Sequence, residues 1–442
     1  MTREECRGIL TPPRLRCSRP VAEGCCDPPG SEDHRVPPLH RRLTTADAVV
    51  IGLGSMIGAG LFSAFAPAAA AAGSALLISL LLAAIIAFCN ATSSAALAAQ
   101  HPAAGGTYVY GRERLGPFWG FLAGWGFVIG KTASCAAMAL TAAEYLLPAH
   151  AEPAAAAFAA ALGAVNYVGI TRTAKLARIL LALTLAALAA SLVAVWLGGA
   201  SAPASALPPA PLGVLQASGL LFFAFAGYAR IATLGEEVRD PQRTIPRAIP
   251  IALGIVVCLY FAVGITLLVA LGPDLATSSA PLADAVRAGD LPQLAPFAVV
   301  GAGVAALGAL LALLAGVGRT TLAMAREHDL PAPLAAIHPR FATPHRAELL
   351  IVAAVVVLVL VADLRGAIGF SSFGVLVYYA IANASALTLP PSQRWFPRAL
   401  PALGLAGCAV LAFALPWTSV LAGLACFAVG AALWAWRHRR TS

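Results

Sequence analysis

Charge is what this sequence has least of. Only 11% of its 442 residues are Asp, Glu, Lys or Arg, against about 25% in soluble globular chains. Hydrophobic residues make up 60%, and mean hydropathy is +0.82. A single core cannot hide that much apolar surface from water, so a soluble fold is excluded and lipid is the solvent for most of the chain. Lysine is almost absent: Lys131 and Lys175 are the only two, and arginine carries the net charge of +9. The arginines stand in small groups between apolar segments rather than on one surface element. That pattern excludes a nucleic-acid surface and reads instead as a topology signal.

Groups for catalysis are also missing where they would be needed. His34, His40, His101, His150, His328, His338, His345 and His438 all fall in tails, loops or segment ends, which leaves metal or acid–base chemistry inside the membrane unsupported. The carboxylates are peripheral too: Asp47 and Glu348 begin segments, and Glu144 lies near the end of one. No P-loop is present, so a gradient rather than ATP is the expected driving force. Cys6, Cys17, Cys25 and Cys26 lie in the N-terminal tail, while Cys89, Cys135, Cys258, Cys408 and Cys426 sit singly in apolar runs. None has zinc spacing, and in such runs a thiol behaves as a small hydrophobe. We therefore expect no enzyme, no cofactor and no metal. Residues 1–44, rich in Pro, Arg and Cys, lack the apolar stretch of a secretory signal and read as a disordered cytoplasmic tail.

What is present is a series of twelve apolar segments, at about 45–66, 73–99, 117–147, 153–170, 174–198, 212–233, 247–271, 293–318, 347–362, 366–388, 399–414 and 417–436. Crossing a bilayer takes about 20 apolar residues, so an all-α polytopic membrane protein with twelve spans is expected. The last two spans are divided at Pro416. If the N-terminus is cytoplasmic, nearly every arginine falls inside, and only Arg287 and Arg365 fall outside. The positive-inside rule then places both termini, including residues 437–442, in the cytoplasm of an inner or plasma membrane.

Two segments are interrupted by glycine at matching places. The first reads Ile51-Gly52-Leu53-Gly54-Ser55-Met56-Ile57-Gly58-Ala59-Gly60-Leu61-Phe62 and the sixth Phe222-Phe223-Ala224-Phe225-Ala226-Gly227-Tyr228. They open two five-span halves, 45–198 and 212–388, with 399–436 left over. Paired Gly-interrupted segments point to a transporter site on broken helices, because freed backbone groups in lipid are tolerated only where they line a cavity. Gly58, Ala59 and Gly60, flanked by Ser55 and Ile57, would offer amides to a carboxylate. The carbonyls of Phe225 and Ala226, beside Gly227, would face an ammonium. Gly54-xxx-Gly58 is equally a small-xxx-small motif of the kind that lets membrane helices touch.

These stretches resemble the amino acid–polyamine–organocation superfamily, and further matches follow in order along nearly the whole chain after residue 44. His101-Pro102-Ala103-Ala104-Gly105-Gly106-Thr107-Tyr108-Val109-Tyr110 resembles the family's first cytoplasmic loop. Glu236-Glu237-Val238-Arg239-Asp240-Pro241 resembles the loop after its sixth span, and Gly318-Arg319-Thr320-Thr321 through Leu330-Pro331 resembles the end of its eighth. The resemblance implies a leucine-transporter-type fold, in which two inverted five-helix repeats are joined by two peripheral helices. It also implies amino acids or related amines as substrates and makes Phe225 a candidate aromatic gate.

Lys131, near the middle of the third segment, is the one ionisable group at membrane depth and a candidate for coupling transport to protons. Snorkelling into a water-filled vestibule, or a structural pairing with a backbone carbonyl, is the alternative. Many members of the family carry a Lys in the fifth span that stands in for sodium; aligned from Asn166 and Gly169, that position falls near Thr184. The eighth segment has no Ser or Thr from Phe297 to Gly318, whereas a hard cation wants oxygen ligands, so sodium independence is expected. Glu236 and Glu237 are candidates for inner-gate ion pairs with Arg319 or Arg326. Ser371, Ser372, Tyr378, Tyr379 and Asn383 give the tenth segment a polar face. No acid falls in the predicted pocket, which argues against a dedicated cationic substrate. The expected function is a secondary, alternating-access permease for neutral amino acids, driven by protons or exchange. The alternative is a transport-inactive sensor or subunit on the same fold.

Overall fold

The computed structural model describes residues 43–101, 105–168, 174–203, 210–232 and 238–439, with the backbone alone at 174–177. Among them are α1 (Thr45–Met56), α2 (Ala59–Ser63), α3 (Phe65–Ala72), α4 (Leu76–Gln100), α5 (Thr107–Leu115), α6 (Pro117–Leu146), α7 (Ala151–Val168), α8 (Ala174–Leu197) and α9 (Pro211–Phe225). They continue with α10 (Ala229–Ala232), α11 (Pro241–Leu271), α12 (Pro281–Arg287), α13 (Ala295–Arg326), α14 (His345–Val361), α15 (Leu364–Leu387), α16 (Ala399–Ala414) and α17 (Trp417–His438). No strand occurs among the described residues; an isolated bridge joins Leu43 to Val238.

Helices occur at all twelve predicted segments. Among the described residues nine are long and apolar enough to cross a bilayer. The other three, α7, α14 and α16, have 18, 17 and 16 residues. At 1.5 Å per residue α14 and α16 reach about 24–26 Å, short of a hydrocarbon core of about 30 Å, while α7 runs to the edge of the described residues. The protein is thus an all-helical, multi-pass membrane protein.

Local chemistry sets the helix starts. Thr44 and Asp47 form a reciprocal capping box on α1: the Thr44 hydroxyl accepts from the Asp47 amide at 3.3 Å, and the Asp47 carboxylate accepts from the Thr44 amide at 3.0 Å. Proline stands in the first turn of α6, α9, α11, α12 and α13, where its missing N–H is no loss. Between α5 and α6, Gly116 takes φ 106°, a conformation that favours glycine, so the chain can turn there.

Helix α6 lies at the centre. In its most apolar stretch 89% of residues are buried, against 17% for α17. Around α6 pack α13, α15, α5, α7 and the short half-helix α2. The outer faces are apolar: Ile78, Leu81, Ile85 and Phe88 form an exposed stripe along α4 at helical spacing, as a lipid-facing surface requires. At one end of the bundle α5 meets the C-terminal end of α13. At the other, the end of α6 meets the short helix α12, where the Leu282 amide donates to the Tyr145 hydroxyl at 3.2 Å.

Candidate functional site

The first predicted interruption is a true break. Helix α1 ends at Met56, Ile57 leaves helical geometry (φ −83°, ψ 71°), Gly58 is extended (φ −132°, ψ −147°), and α2 begins at Ala59. In the sixth segment α9 stays helical through Phe225; a 3₁₀ turn over Ala226–Tyr228 follows, then α10. The two breaks meet backbone to backbone, and glycine is what allows it. A Cβ on Gly60 would lie 2.5 Å from the Ala224 Cα. One on Gly227 would run into the Ser55 carbonyl and stand 2.7 Å from the Met56 nitrogen. Gly58 faces α13, where the Ala309 methyl would be 2.8 Å from an added Cβ. These glycines therefore both pack the helices and open the backbone.

A cavity lies where the breaks meet α6. It is lined by Ser55, Met56, Gly58, Ala59, Gly60, Lys131, Ser134, Met138, Phe223, Ala224 and Gly227. Five predicted substrate residues, Ser55, Gly58, Ala59, Gly60 and Gly227, are on its wall, and so is Lys131. Ile57, Phe225 and Ala226 are not. Because α9 remains helical through Phe225, that ring turns toward Tyr260, with centroids 5.0 Å apart, and Phe223 faces the cavity instead. The cavity has room for the centre of a water molecule over about 20 Å³, roughly what one water needs and too little for an amino acid. This conformation is closed.

The carbonyls freed by the breaks are taken by the protein's own donors. The Tyr260 hydroxyl on α11 donates toward the Met56 carbonyl at 2.6 Å and the Ala224 carbonyl at 2.9 Å, bridging both interrupted helices. The Ala226 carbonyl accepts from Lys131 Nζ at 3.2 Å and from the Tyr379 hydroxyl at 3.3 Å. Lys131 is only 6% exposed, and among the described residues no carboxylate pairs with it. Sequence reasoning missed Tyr260, Ser134, Met138 and Phe223. For Tyr260 a signal existed, since a phenol within an apolar span needs an acceptor.

Most of the polar face of α15 is satisfied internally, although among the described residues the buried Ser372 hydroxyl meets no partner. The Ser134 and Ser371 hydroxyls are 2.6 Å apart, and the Thr107 amide donates to the Tyr378 hydroxyl at 3.1 Å. Asn383 Nδ2 donates to Asn90 Oδ1 at 2.6 Å, and its Oδ1 accepts from Ser93 at 2.7 Å. Thr184 is buried in α8. Opposite Gly58, α13 presents Ala305 and Ala309, with no side-chain oxygen there.

At the α5 end, Arg112 pairs with Asp329 at 2.9 Å and with Glu327 at 3.6 Å, and the Tyr108 hydroxyl donates to Asp329 at 2.7 Å. Burial is the largest influence on Asp329 and holds its carboxyl above the usual range, against the opposing pull of Tyr108 and Arg112. Arg178 pairs with Asp47, and Arg243 with Asp240 at 3.7 Å. Glu236 and Glu237 lie outside the described residues. Arg319 and Arg326 are exposed on α13 and form no ion pair among the described residues; Arg319 acts electrostatically on Glu348.

Two interrupted helices around a buried cavity, within a bundle of apolar spans, define a membrane transporter of the broken-helix kind. Residues 43–441 match the family model described as amino acid permease, and the chain belongs to that family. Among its relatives are transporters from Mycobacterium tuberculosis and Mycobacterium bovis, each 61% identical over 90% of this chain and 92% of their own length. Both are described only as uncharacterized transporters. The branched-chain amino acid permease of Bacillus subtilis is 24% identical over 91% of this chain and 94% of its own. A vacuolar cationic amino acid transporter of Arabidopsis thaliana is 29% identical over 82% of this chain and 62% of its own. The protein is a transporter and not an enzyme.

Proposed function

We propose that this protein is a secondary active amino-acid transporter that works by alternating access around the cavity between the two interrupted helices. The observation that carries the reading is the meeting of both helix breaks with Lys131 at one closed cavity beside the most buried helix of the bundle. Twelve spans in two inverted five-helix repeats plus two peripheral helices fit this geometry, with both termini in the cytoplasm of the plasma membrane.

Sodium independence is supported by the alanine face of α13 against Gly58, where a hard cation would find few oxygen ligands. The driving force is then a proton gradient or exchange, and Lys131 is the candidate coupling residue. The Arg112–Asp329–Tyr108 cluster closes the cytoplasmic end, with Glu236, Glu237, Arg319 and Arg326 as further gate candidates. Opening that end requires this cluster to separate.

Uptake into proteoliposomes without sodium tests the reading, using labelled amino acids with and without an imposed pH gradient or internal preloading. Stimulation by an inside-alkaline gradient assigns proton symport, and uptake only into preloaded vesicles assigns exchange. Binding without flux in any condition refutes the transporter mechanism in favour of a sensor.

A further inference from the structure

The cavity holds one cation and no anion. Its lining contains Lys131, two hydroxyl-bearing or thioether pairs of residues and otherwise backbone and apolar surface. Among the described residues the other ionisable groups acting on Lys131 are weak ones: the Cys135 thiol one turn on, and the Tyr379 hydroxyl that shares its carbonyl. A single carbonyl at 3.2 Å is a partner for one N–H of the ammonium but does not cancel its charge. Charges at membrane depth are kept where an opposite charge or a ligand meets them.

The acceptors point the same way. An amino acid's ammonium needs free carbonyls at the helix breaks. Those of Met56 and Ala224 are bridged by Tyr260, and that of Ala226 is taken twice. A zwitterion entering here brings a second ammonium beside Lys131 and leaves the site with net charge +1. A cationic substrate raises it to +2. A substrate with one more carboxylate than ammonium brings it to zero. Ser134, one helical turn from Lys131, also lines the cavity, but its hydroxyl is engaged with Ser371 and the Gly130 carbonyl, which leaves Lys131 as the one charged group on the wall.

Resting on the assignment of this cavity as the substrate site, we propose that its substrate is a carboxylate of net negative charge, paired with the ammonium of Lys131. This revises the expectation of a neutral substrate. That expectation rested on the absence of an acid from the pocket and set Lys131 apart as a coupling group.

The test is ligand binding to the full-length protein in nanodiscs at pH 7 without sodium, read as ligand-dependent thermal stabilisation. The probes are glutamate, aspartate, 2-oxoglutarate, alanine, leucine and arginine. The anions are expected to bind in preference to the others. Glutamate without 2-oxoglutarate means acidic amino acids; both together mean carboxylates irrespective of the amine; either supports the proposal. Lys131→Met should weaken anion binding by about tenfold to a hundredfold, the worth of one charge-assisted hydrogen bond. Lys131→Arg should retain the preference. Alanine or leucine binding as tightly as glutamate overturns the proposal, as does anion affinity unchanged in Lys131→Met or no stabilisation by any anion. If Lys131→Met does not fold, the wild-type panel and Lys131→Arg still decide. Parallel uptake separates the two readings: anion binding without flux keeps this proposal and refutes transport, whereas flux of neutral amino acids alone does the reverse.

Discussion

Four glycines share the interrupted first segment, yet the structure assigns them different tolerance for a methyl group. At Gly60 an added Cβ would stand 2.5 Å from the Ala224 Cα and 2.6 Å from its Cβ. Carbon atoms rest about 3.5–4.0 Å apart, so the two interrupted helices would have to separate by roughly 1 Å. The obstacle is backbone and cannot rotate away. Overpacking of this kind costs about 1–3 kcal/mol, and here it falls where the two interrupted helices touch backbone to backbone. At Gly54 an added Cβ meets nothing within 4 Å, and alanine gains about 0.8–1 kcal/mol in helix propensity over glycine. Gly60→Ala is therefore expected to lower thermal stability in detergent and abolish uptake. Gly54→Ala should leave uptake intact and stability unchanged or slightly higher. Gly58→Ala should fall between them, since its obstacle is the Ala309 methyl, and the double variant Gly58→Ala with Ala309→Gly should recover part of the loss. Equal behaviour of Gly54→Ala and Gly60→Ala in both assays would refute the backbone contact between α2 and α9.

Three further predictions follow from named contacts. Tyr260→Phe removes the one hydroxyl proton that the Ala224 and Met56 carbonyls share, while the Met56 carbonyl keeps the Gly58 amide at 3.0 Å; at about 1–3 kcal/mol for a lost buried partner, a fall in melting temperature is expected, and an unchanged melting point would show that the bridge is not formed. Asn383→Leu strips partners from Asn90 and Ser93 within the packed interior and should destabilise by about 2–4 kcal/mol, measured by denaturation in detergent, whereas Ser385→Ala on the same helix, which loses only a bond to its own turn, should cost under about 1 kcal/mol. For Asp329, burial holds the folded-state carboxyl above its unfolded range, so its contribution to stability is complete below that range and falls as pH rises through it; Asp329→Asn should flatten that acid-side slope, and an unaltered slope would assign it elsewhere.

Much of the architecture was legible because lipid imposes it. Apolar runs bounded by arginine marked a helix at every predicted place, since in hydrocarbon the backbone must satisfy itself. The count of true spans was less legible: α14 and α16 are apolar but shorter than a bilayer core, and composition alone does not say how a short helix is accommodated. The first break was readable to within a residue from the run Gly58-Ala59-Gly60. The second was read over the run Phe222 to Tyr228; Phe222-Phe223-Ala224-Phe225 packs into the core as ordinary helix, and the turn spans Ala226–Tyr228. Phe223 rather than Phe225 therefore stands on the cavity wall. Tyr260 and Ser134 were missed for a different reason. Their roles depend on which carbonyl lies opposite, and that is set by helix–helix register across long sequence separations rather than by any local pattern.

The closed cavity raises a question of its own: how two interrupted helices survive side by side inside a membrane. Each unpaired carbonyl there forfeits about 1–3 kcal/mol, so two bare breaks would strain a fold held together by a margin of about 5–15 kcal/mol. The answer lies in donors borrowed from neighbouring helices, Tyr260 from α11, Lys131 from α6 and Tyr379 from α15. Each is anchored on an uninterrupted helix and reaches a carbonyl on an interrupted one. Such a donor stabilises the closed conformation only while the two helices stay in register. When the interrupted helices move, the same bonds must break and be replaced by contacts to an entering solute or to water. Opening is then affordable only if the solute offers a better partner than the carbonyl it displaces. For Lys131 a carboxylate does so, because a charge-assisted bond is roughly twice as strong as one to a neutral acceptor.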